Sequence, residues 1–342
     1  DRGHSYNIFL KYKDVPVLYS PFFSFPLSKN RHSGFLFPTI GSSGESGTII
    51  STPYYFNIAE NMDLTFTPTS YSGRGQMFEA EVRYKTKNSN TEFEIANMDL
   101  DDVTGKNRHA FFFRDNRTFV NTLELKNNGN WEGTRITTNT NVGGISDLTY
   151  FNDFGNTVSR VGRTHIKRIA EINRIDYSSF GYLNSSIRAT DYQLAKIDLV
   201  EQYSVLPQVK IQFNTYEKNE ELQYKFEGGA SVFKHTYDHK TDGTRISLYP
   251  SVEYPIKRPG WELRSKVGVN HRSYSLSKSD TSSVSQTTPV ISLRGKMIFD
   301  RLTGKNLLQT LEPEMYFLYI PASNQDSIPI FDSGENDLKY TL

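Results

Sequence analysis

Apolar and polar residues alternate with a period of two along most of the chain, and this pattern limits what the chain can fold into. In the clearest run the apolar positions are every second residue: Phe78, Ala80, Val82 and Tyr84. The residues between them are charged: Glu79, Glu81 and Arg83. The alternation returns in the runs 209–215, 222–227, 261–270 and 291–300, whereas a helical period is nearly absent. The sequence therefore predicts an all-β protein whose strands have one apolar and one charged face.

The spacing of these runs separates two kinds of β protein. In the second half of the chain the predicted strands begin near residues 209, 222, 245, 261, 289 and 308. They recur about every 20 residues, whereas soluble β-sandwiches give turn signals about every 8–12 residues. Strands of about 9–11 residues, with short turns on one side and longer loops such as 273–288 on the other, are typical of an antiparallel transmembrane β-barrel. The apolar face would then meet lipid and the charged face would line the lumen. A secreted β-sandwich or solenoid is the alternative.

Composition excludes several other classes. The 342 residues include 39 Lys+Arg against 38 Asp+Glu, so the charge excess that nucleic-acid binding requires is missing and no such partner is predicted. No stretch approaches the ~18 consecutive apolar residues of a spanning helix, which excludes a helical membrane protein. With no cysteine, this chain has no disulfide framework, no cysteine zinc site and no thiol nucleophile.

The usual catalytic and metal-binding patterns are missing from the sequence. Asp99, Asp101 and Asp102 depart from the spacing of a calcium loop, so they predict a hydrated loop. Glu79 and Glu81 could form the carboxylate pair of a secreted glycoside hydrolase, but a hydrated or lumenal face explains them with fewer assumptions. No catalytic residue, cofactor or metal is predicted, and the chain is not expected to be an enzyme.

The first 47 residues differ from the rest. Residues 15–27 are dense in proline and aromatic side chains, and a Gly/Ser cluster follows at 41–47. Because proline lacks a donor for the strand ladder, it is confined to edges, strand starts and bulges. Residues 1–47 are therefore predicted to be a connector or the rim of a separate β domain, and residues 48–342 the barrel.

Two further prolines lie inside runs that otherwise predict strands. Pro53 interrupts the run 50–56 and Pro68 the run 62–70. Each removes one backbone donor, so two neighbouring strands would pair incompletely. On the pattern alone, two prolines tolerated at an edge, with no functional role, are favoured over a functional weakness.

Several blocks of the sequence resemble the LPS-assembly protein LptD family of Gram-negative outer membranes. Three long blocks carry the resemblance: VLYSPFFSFPL (17–27), RHSGFLFPTIG (31–41) and STPYYFNIA (51–59). Shorter blocks follow in the same order at 63–68, 146–154, 206–208 and 309–332. Phe56 stands where the family has tryptophan, an exchange of one aromatic residue for another. The blocks span nearly the whole chain.

The resemblance implies a fold and a role. Proteins of this family combine a periplasmic β-jelly-roll with an outer-membrane barrel of about 26 strands, plugged by the lipoprotein LptE. They receive lipopolysaccharide from the periplasmic bridge protein LptA and insert it into the outer leaflet. The present chain would be a fragment: the last edge of the jelly-roll at 1–47, then about 13–15 strands, the N-terminal half of the barrel. The family's cysteines would lie outside it.

The resemblance also assigns candidate site residues. In the family, prolines matching Pro53 and Pro68 lie in the first two barrel strands, beside a lateral gate between the first and last strands. The charged face would then line the lumen, with the candidates Glu79, Glu81, Arg83, Lys210, Lys225, Glu262, Arg264 and Lys266. The connector would release acyl chains at Phe22, Phe23 and Phe25. The alternatives are a passive outer-membrane porin and, in another class, the secreted β-rich glycoside hydrolase.

Overall fold

A computed structural model describes residues 2–12, 15–26, 31–126, 131–154, 164–197, 199–303 and 307–332. About three quarters of them lie in antiparallel strands, and one short helix, α1 (Tyr150–Asp153), lies between β12 and β13. The all-β, antiparallel barrel class expected from the alternation is confirmed. No helix within the described ranges is both long and apolar enough to cross a membrane. The chain divides into two compact units, which are described in turn.

The first unit is built mainly from residues 1–86 and 92–111. Its strands are β1 (Arg2–Tyr12), β2 (Val15–Pro26), β3 (Gly34–Phe35), β4 (Thr39–Ser43), β5 (Gly47–Ser51), β6 (Tyr54–Ala59), β7 (Met62–Tyr71), β8 (Gly75–Lys85), β9 (Ser89–Asp101) and the first part of β10 (Lys106–Asn121). β1 and β2 pair with each other in a two-stranded sheet. In the larger sheet β4 pairs with β5, β3 with β6, and both β5 and β6 with β7.

The position of β3 and β4 bears on the predicted division of the chain. Both strands precede residue 48, yet they pair with β6 and β5 of the larger sheet. The separate sheet consists of β1 and β2, which end at Pro26. The division into a connector at 1–47 and a barrel at 48–342 stays a prediction.

The second unit holds the second part of β10 and the rest of the chain. Its further strands are β11 (Glu124–Leu125), β12 (Trp131–Ile145), β13 (His165–Tyr177), β14 (Gly181–Leu194), β15 (Ser204–Thr215), β16 (Gln223–Lys234), β17 (Asp242–Arg258), β18 (Trp261–Ser277), β19 (Ser283–Met297), β20 (Phe299–Thr303), β21 (Leu307–Leu311) and β22 (Glu314–Tyr319). From β12 to β19 each strand pairs with the next, β19 also pairs with β22, and β20 and β21 form a separate hairpin.

The register of the second unit divides its sheet into two faces. On the apolar face Val267 lies opposite Val252 on β17 and Ile291 on β19. On the polar face Lys266 lies opposite Glu253. Val267 is 56% exposed and Ile291 is 40% exposed, so the described part of the chain does not cover the apolar face. A β-sandwich would bury that face against a second sheet, so this exposure favours a sheet whose apolar face meets lipid.

The first unit buries a charged group at one end of its sheet. The Asp101 carboxylate accepts hydrogen bonds from Arg74 and from Arg108, both at 2.9 Å, and the side chain is fully buried. The hydrated loop predicted around Asp99, Asp101 and Asp102 is therefore wrong for Asp101. The two arginines are distant in sequence from each other, so a reading of local spacing could not have paired them.

The longest strands, β17 to β19, exceed the predicted length, and the loop between β18 and β19 is correspondingly shorter. β17 and β18 each span 17 residues, and only residues 278–282 connect β18 to β19, where the sequence predicted a loop over 273–288. The strands continue beyond the apolar runs through serine and threonine residues, because backbone hydrogen bonding between strands does not require apolar side chains. The strand predicted near 308 is β21 of the separate hairpin, and β22, which pairs with β19, begins at Glu314.

Candidate functional site

Pro53 and Pro68 lie opposite neighbouring residues of one strand line in the first unit. The line consists of β5 and β6, which are separated by Thr52 and Pro53, and both strands pair with β7 in one continuous register. In that register Thr52 faces Pro68. On the other side of the line, the register of β3 with β6 brings Leu36 opposite Pro53. The predicted strand over 50–56 is thus interrupted at its proline, whereas Pro68 lies inside β7.

Each proline leaves half of a two-bond pair unmade. The Thr52 amide donates to the Pro68 carbonyl at 3.1 Å, and the Leu36 amide donates to the Pro53 carbonyl at 2.9 Å. The return bond of each pair would need an N–H on the proline, which proline lacks. The strand line therefore lacks one ladder hydrogen bond to β7, at Thr52, and one to the segment after β3, at Pro53. The two gaps lie at neighbouring residues, on opposite sides of the line.

Aromatic side chains surround this break on the exposed apolar side. Pro68 lies opposite Phe78, whose ring stacks on that of Phe66 with centroids 6.1 Å apart. Tyr54 lies opposite Phe66 and meets Phe35 edge to face at 4.9 Å. Phe35 is 79% exposed. The strands next to the missing bonds thus carry a large exposed apolar surface, which is unfavourable in contact with water.

A polar cluster ties the segment before β3 to the hairpin of β6 and β7. The buried Asp63 carboxylate accepts hydrogen bonds from Arg31 at 2.8 Å, from Arg83 at 2.8 and 3.2 Å, and from the Tyr55 hydroxyl at 3.1 Å. Arg31 also donates to the Glu60 carbonyl. The sequence predicted a role for Arg83 alone. Arg31 and Asp63 lie inside the blocks 31–41 and 63–68 that carry the family resemblance, which was the available signal.

The lumen candidates of the first unit share one face of β8. Thr65 lies opposite Glu81 and Thr67 opposite Glu79, on the face that holds the buried Asp63. Glu81 is 3.6 Å from Arg83, and the Thr69 hydroxyl is 3.5 Å from Glu79. Whether this face lines a lumen stays a prediction.

The lumen candidates of the second unit share its polar face, and three of them join one charge network. Lys225 donates to Glu253 at 2.6 Å, and Arg264 donates to the same carboxylate at 3.1 Å. Arg264 also contacts Glu262. Lys266 lies 4.8 Å from the centre of the Tyr249 ring, and Lys210 lines a polar groove of about 400 Å³ with Tyr249. The sequence analysis missed Glu253, the buried acceptor at the centre of the network.

Glu217 extends this network into the turn between β15 and β16. Two nitrogens of Arg264 donate to its carboxylate at 2.8 and 2.9 Å, and Lys257 forms a further ion pair. The Arg264 hydrogen bonds and then Lys257 lower the pKa of Glu217 to about 2. No period-two pattern could have found Glu217, because it lies outside the strands.

The connector candidates are placed only in part. Phe22 lies in β2 opposite Tyr6, is 49% exposed and stacks on the His4 ring at 5.5 Å. Phe23 and Phe25 pair through their backbones with Ser5 and Gly3, and their side chains lie outside the described residues. In the described ranges no group of three or more His, Cys, Asp or Glu residues is arranged to hold a metal ion.

Comparison with known proteins decides the family. The family model described as "LPS transport system D" matches residues 106–342, and the one described as "LptD protein" matches residues 5–109. The chain belongs to the LptD family. LPS-assembly protein LptD of Aromatoleum aromaticum is 31% identical over 335 residues, which are 96% of this chain and 40% of that protein. The Chromobacterium violaceum protein of the same name is 33% identical over 350 residues, covering 99% of this chain and 42% of its own length.

Membership of the LptD family confirms the resemblance found in the sequence blocks. The chain spans less than half the length of the LptD relatives it matches, as the prediction of a fragment requires. The two family models together cover both Pro53 and Pro68, the polar-face network and the segment 309–332. The candidate sites therefore all lie in regions that the two family models match.

Proposed function

We propose that this chain is part of an outer-membrane translocon that inserts lipopolysaccharide into the outer leaflet through a lateral gate between the first and last barrel strands. The observation that carries the proposal is the pair of missing hydrogen bonds at residues 52 and 53. They weaken the pairing of the β5–β6 strand line with β3 on one side and with β7 on the other. A barrel has no free edge, so sideways release requires a place where strands can separate at low cost.

The chemistry of lipopolysaccharide accounts for two contrasting faces in one sheet. Its acyl chains must enter lipid, which the exposed apolar side around Phe35, Phe66 and Phe78 favours. Its sugars cannot cross hydrocarbon, so they need a hydrated route along the polar face, where charged side chains replace water as partners. A gate that opens sideways serves both parts of the molecule at once. No catalytic step is involved, and the protein is proposed to be a transporter subunit.

The proposal includes two protein partners. An LptE-like lipoprotein would occupy part of the lumen, and an LptA-like bridge protein would deliver lipopolysaccharide to the periplasmic N-terminal part. The charge network around Glu253 and Arg264 supports the first contact, because a hydrated face rich in paired charges fits a polar plug. The exposed Tyr6, Phe9, Tyr19 and Phe22 of β1 and β2 support a route for acyl chains.

The double variant Pro53→Thr, Pro68→Thr tests the gate in the full-length protein. Threonine favours strands and restores one donor to each pair. Two restored hydrogen bonds stabilise the closed strands by about 1–3 kcal/mol together, so we expect export to slow about tenfold. Arrival of pulse-labelled lipopolysaccharide at the cell surface measures the rate.

Pro289→Thr is the matched control, since it removes an exposed proline from β19, which makes none of the ladder bonds around residues 52 and 53. Export at the unaltered rate in the double variant would contradict the gate. Passage of small sugars through vesicles containing the protein, with no effect of the variant on export, would favour a passive porin.

A further inference from the structure

A groove opens on the apolar face of the second unit, near the ends of β18, β19 and β22. Its volume is about 360 Å³, and apolar side chains line it: Trp261, Leu263, Met297, Pro313 and Met315. Gly295 lies between Leu263 and Met315 in the register. A Cβ at Gly295 would meet nothing nearer than a Leu263 methyl carbon at 4.0 Å. The missing side chain at position 295 therefore creates the space.

The hairpin of β20 and β21 begins at the edge of this groove. The Ile298 amide donates to the Gly260 carbonyl at 2.8 Å, and the Met297 amide donates to the Pro313 carbonyl at 3.0 Å. These bonds fix the base of the hairpin beside the turn between β17 and β18. Leu302 lies opposite Leu308 and the two are 75% and 60% exposed, and Phe299 and Leu311 form a second exposed apolar pair.

The charged side chains at the groove have partners. Lys296 pairs with Glu312 at 2.6 Å, and Glu314 accepts from Arg294 at 2.6 and 2.8 Å. Glu262 contacts Arg264. No unpaired charge at this groove is thus available to select an ionic ligand, and what remains is an apolar slot with two adaptable methionine walls.

The lengths of the connections indicate which leaflet the groove faces. At the groove's end of the sheet, three residues join β13 to β14, seven join β15 to β16 and two join β17 to β18. At the opposite end, nine residues join β14 to β15, seven join β16 to β17 and five join β18 to β19, so the connections there are longer on average. Outer-membrane barrels have short periplasmic turns, and aromatic side chains such as Trp261 mark their interfaces. The groove then lies at the level of the inner leaflet, which phospholipid forms.

We propose that this groove and the adjoining hairpin bind an acyl chain of an inner-leaflet phospholipid. The inference rests on the proposed outer-membrane location but not on the lateral gate. The groove is continuous with the apolar face that meets lipid, and the hairpin extends that surface past the turn at Gly260. A seated acyl chain would cover the exposed leucines and hold the hairpin against the membrane.

Photolabelling tests the proposal on the full-length protein in phosphatidylethanolamine vesicles. A trace of phosphatidylethanolamine with a photoreactive acyl chain serves as the probe, and mass spectrometry maps the labelled residues. We expect strong labelling at 261–263 and 313–315. Gly295→Leu fills the groove and excludes about two methylenes, so labelling there should fall about tenfold. Val269→Leu enlarges the same face away from the groove and should leave the labelling unchanged.

Each other outcome overturns a stated part of the proposal. Equal labelling along the whole apolar face, unaffected by Gly295→Leu, would mean ordinary surrounding lipid and no groove site. Preferential labelling by a photoreactive lipopolysaccharide would overturn the assignment to phospholipid. No labelling even at Val267 would overturn the membrane location itself. Heat-dependent migration in gels shows that both variants are folded, and normal lipopolysaccharide export in Gly295→Leu would separate this site from the gate.

Discussion

At the scale of single residues, the least predictable feature is the burial of charge. Asp101 is 0% exposed and lies between two guanidinium groups, each nearly as buried. The sequence shows three aspartates before a glycine, a pattern that usually belongs to hydrated loops. Arg74 and Arg108 come from two other segments, so only the paired strands bring these charges together. A carboxylate buried in this way stabilises the fold only while both arginines keep it as their partner.

We expect Asp101→Asn to destabilise the protein by about 3 kcal/mol, because it leaves two buried guanidinium groups without a counter-charge. Asp102→Asn is the control, since Asp102 is the exposed neighbour. Urea unfolding of both variants in lipid vesicles measures the free energy of unfolding. Equal stabilities would mean that water reaches the arginines when the carboxylate is lost.

Glu217 gives the turn between β15 and β16 a dependence on pH. Its pKa is about 2, below its ordinary value of 4.5, so binding of the carboxylate to Arg264 and Lys257 favours the ionised form. The stabilisation is complete well above pH 4.5 and is lost as the pH falls through about 2. Because about a third of the side chain is exposed, solvent screening reduces the effect.

We expect Glu217→Gln to loosen the turn 216–222 at pH 7 and to have little effect near pH 1, below the pKa of about 2, where the carboxylate is protonated. Proteolysis of the turn at pH 7 and a pepsin digest at low pH measure the two conditions. Glu221→Gln is the control, because Glu221 is 61% exposed and pairs only with Lys218 among the contacts described. A difference that persists at low pH would contradict the ionic explanation.

At the scale of elements, alternation located β15 to β19 and β21 of the second unit but not what joins them. β16, β18 and β19 follow from their period-two patterns. The hairpin of β20 and β21 does not, because alternation continues from Ile291 through Phe299 without a signal at Met297, where β19 ends. Alternation also gave no sign of the contacts that the segment after β22 makes. Phe331 stacks on Phe233 at 4.5 Å, and Asp332 forms two hydrogen bonds with Arg245 at 2.6 and 2.8 Å.

This contact returns the segment 320–332 to the polar face of the sheet. Phe331 is 8% exposed and packs with Tyr203, Phe233 and Tyr274. We expect Phe331→Ala to release the segment, because loss of a buried phenyl ring costs about 3–5 kcal/mol. Hydrogen exchange of residues 325–332 measures the release. Ile330→Ala removes a neighbouring side chain that is 63% exposed and should change nothing; similar exchange in both variants would contradict the anchoring role.

At the scale of the whole molecule, the fold class was predictable because it depends on a pattern repeated in many strands. In strands such as β8 and β18 one face is apolar in the sequence, and the structure leaves much of that face exposed. The candidate site was predictable only through the family resemblance, since period and spacing alone favoured the explanation of Pro53 and Pro68 as edge prolines. The bonds that those prolines leave unmade depend on register, which no single strand specifies.

We expect the protein with its natural chain ends to require detergent for extraction from outer membranes and to co-purify with an LptE-like lipoprotein. The exposed apolar faces explain the first result and the polar face the second. Heat-dependent migration in gels would show a folded barrel. Extraction in aqueous buffer without any lipoprotein would instead favour the secreted hydrolase, and the carboxylates Glu79 and Glu81 would then be assayed.

The two missing ladder bonds have a consequence for how this protein can vary. Proline alone among the encoded amino acids lacks a backbone donor, so nineteen different replacements at position 53 or 68 share one effect on the ladder. For the ladder, only the presence or absence of proline matters at these positions. The identity of the new side chain matters less than the loss of the proline ring. A single substitution at either proline would therefore add a backbone donor to the ladder and strengthen the strand pairing. No substitution of a neighbouring side chain could remove that donor again.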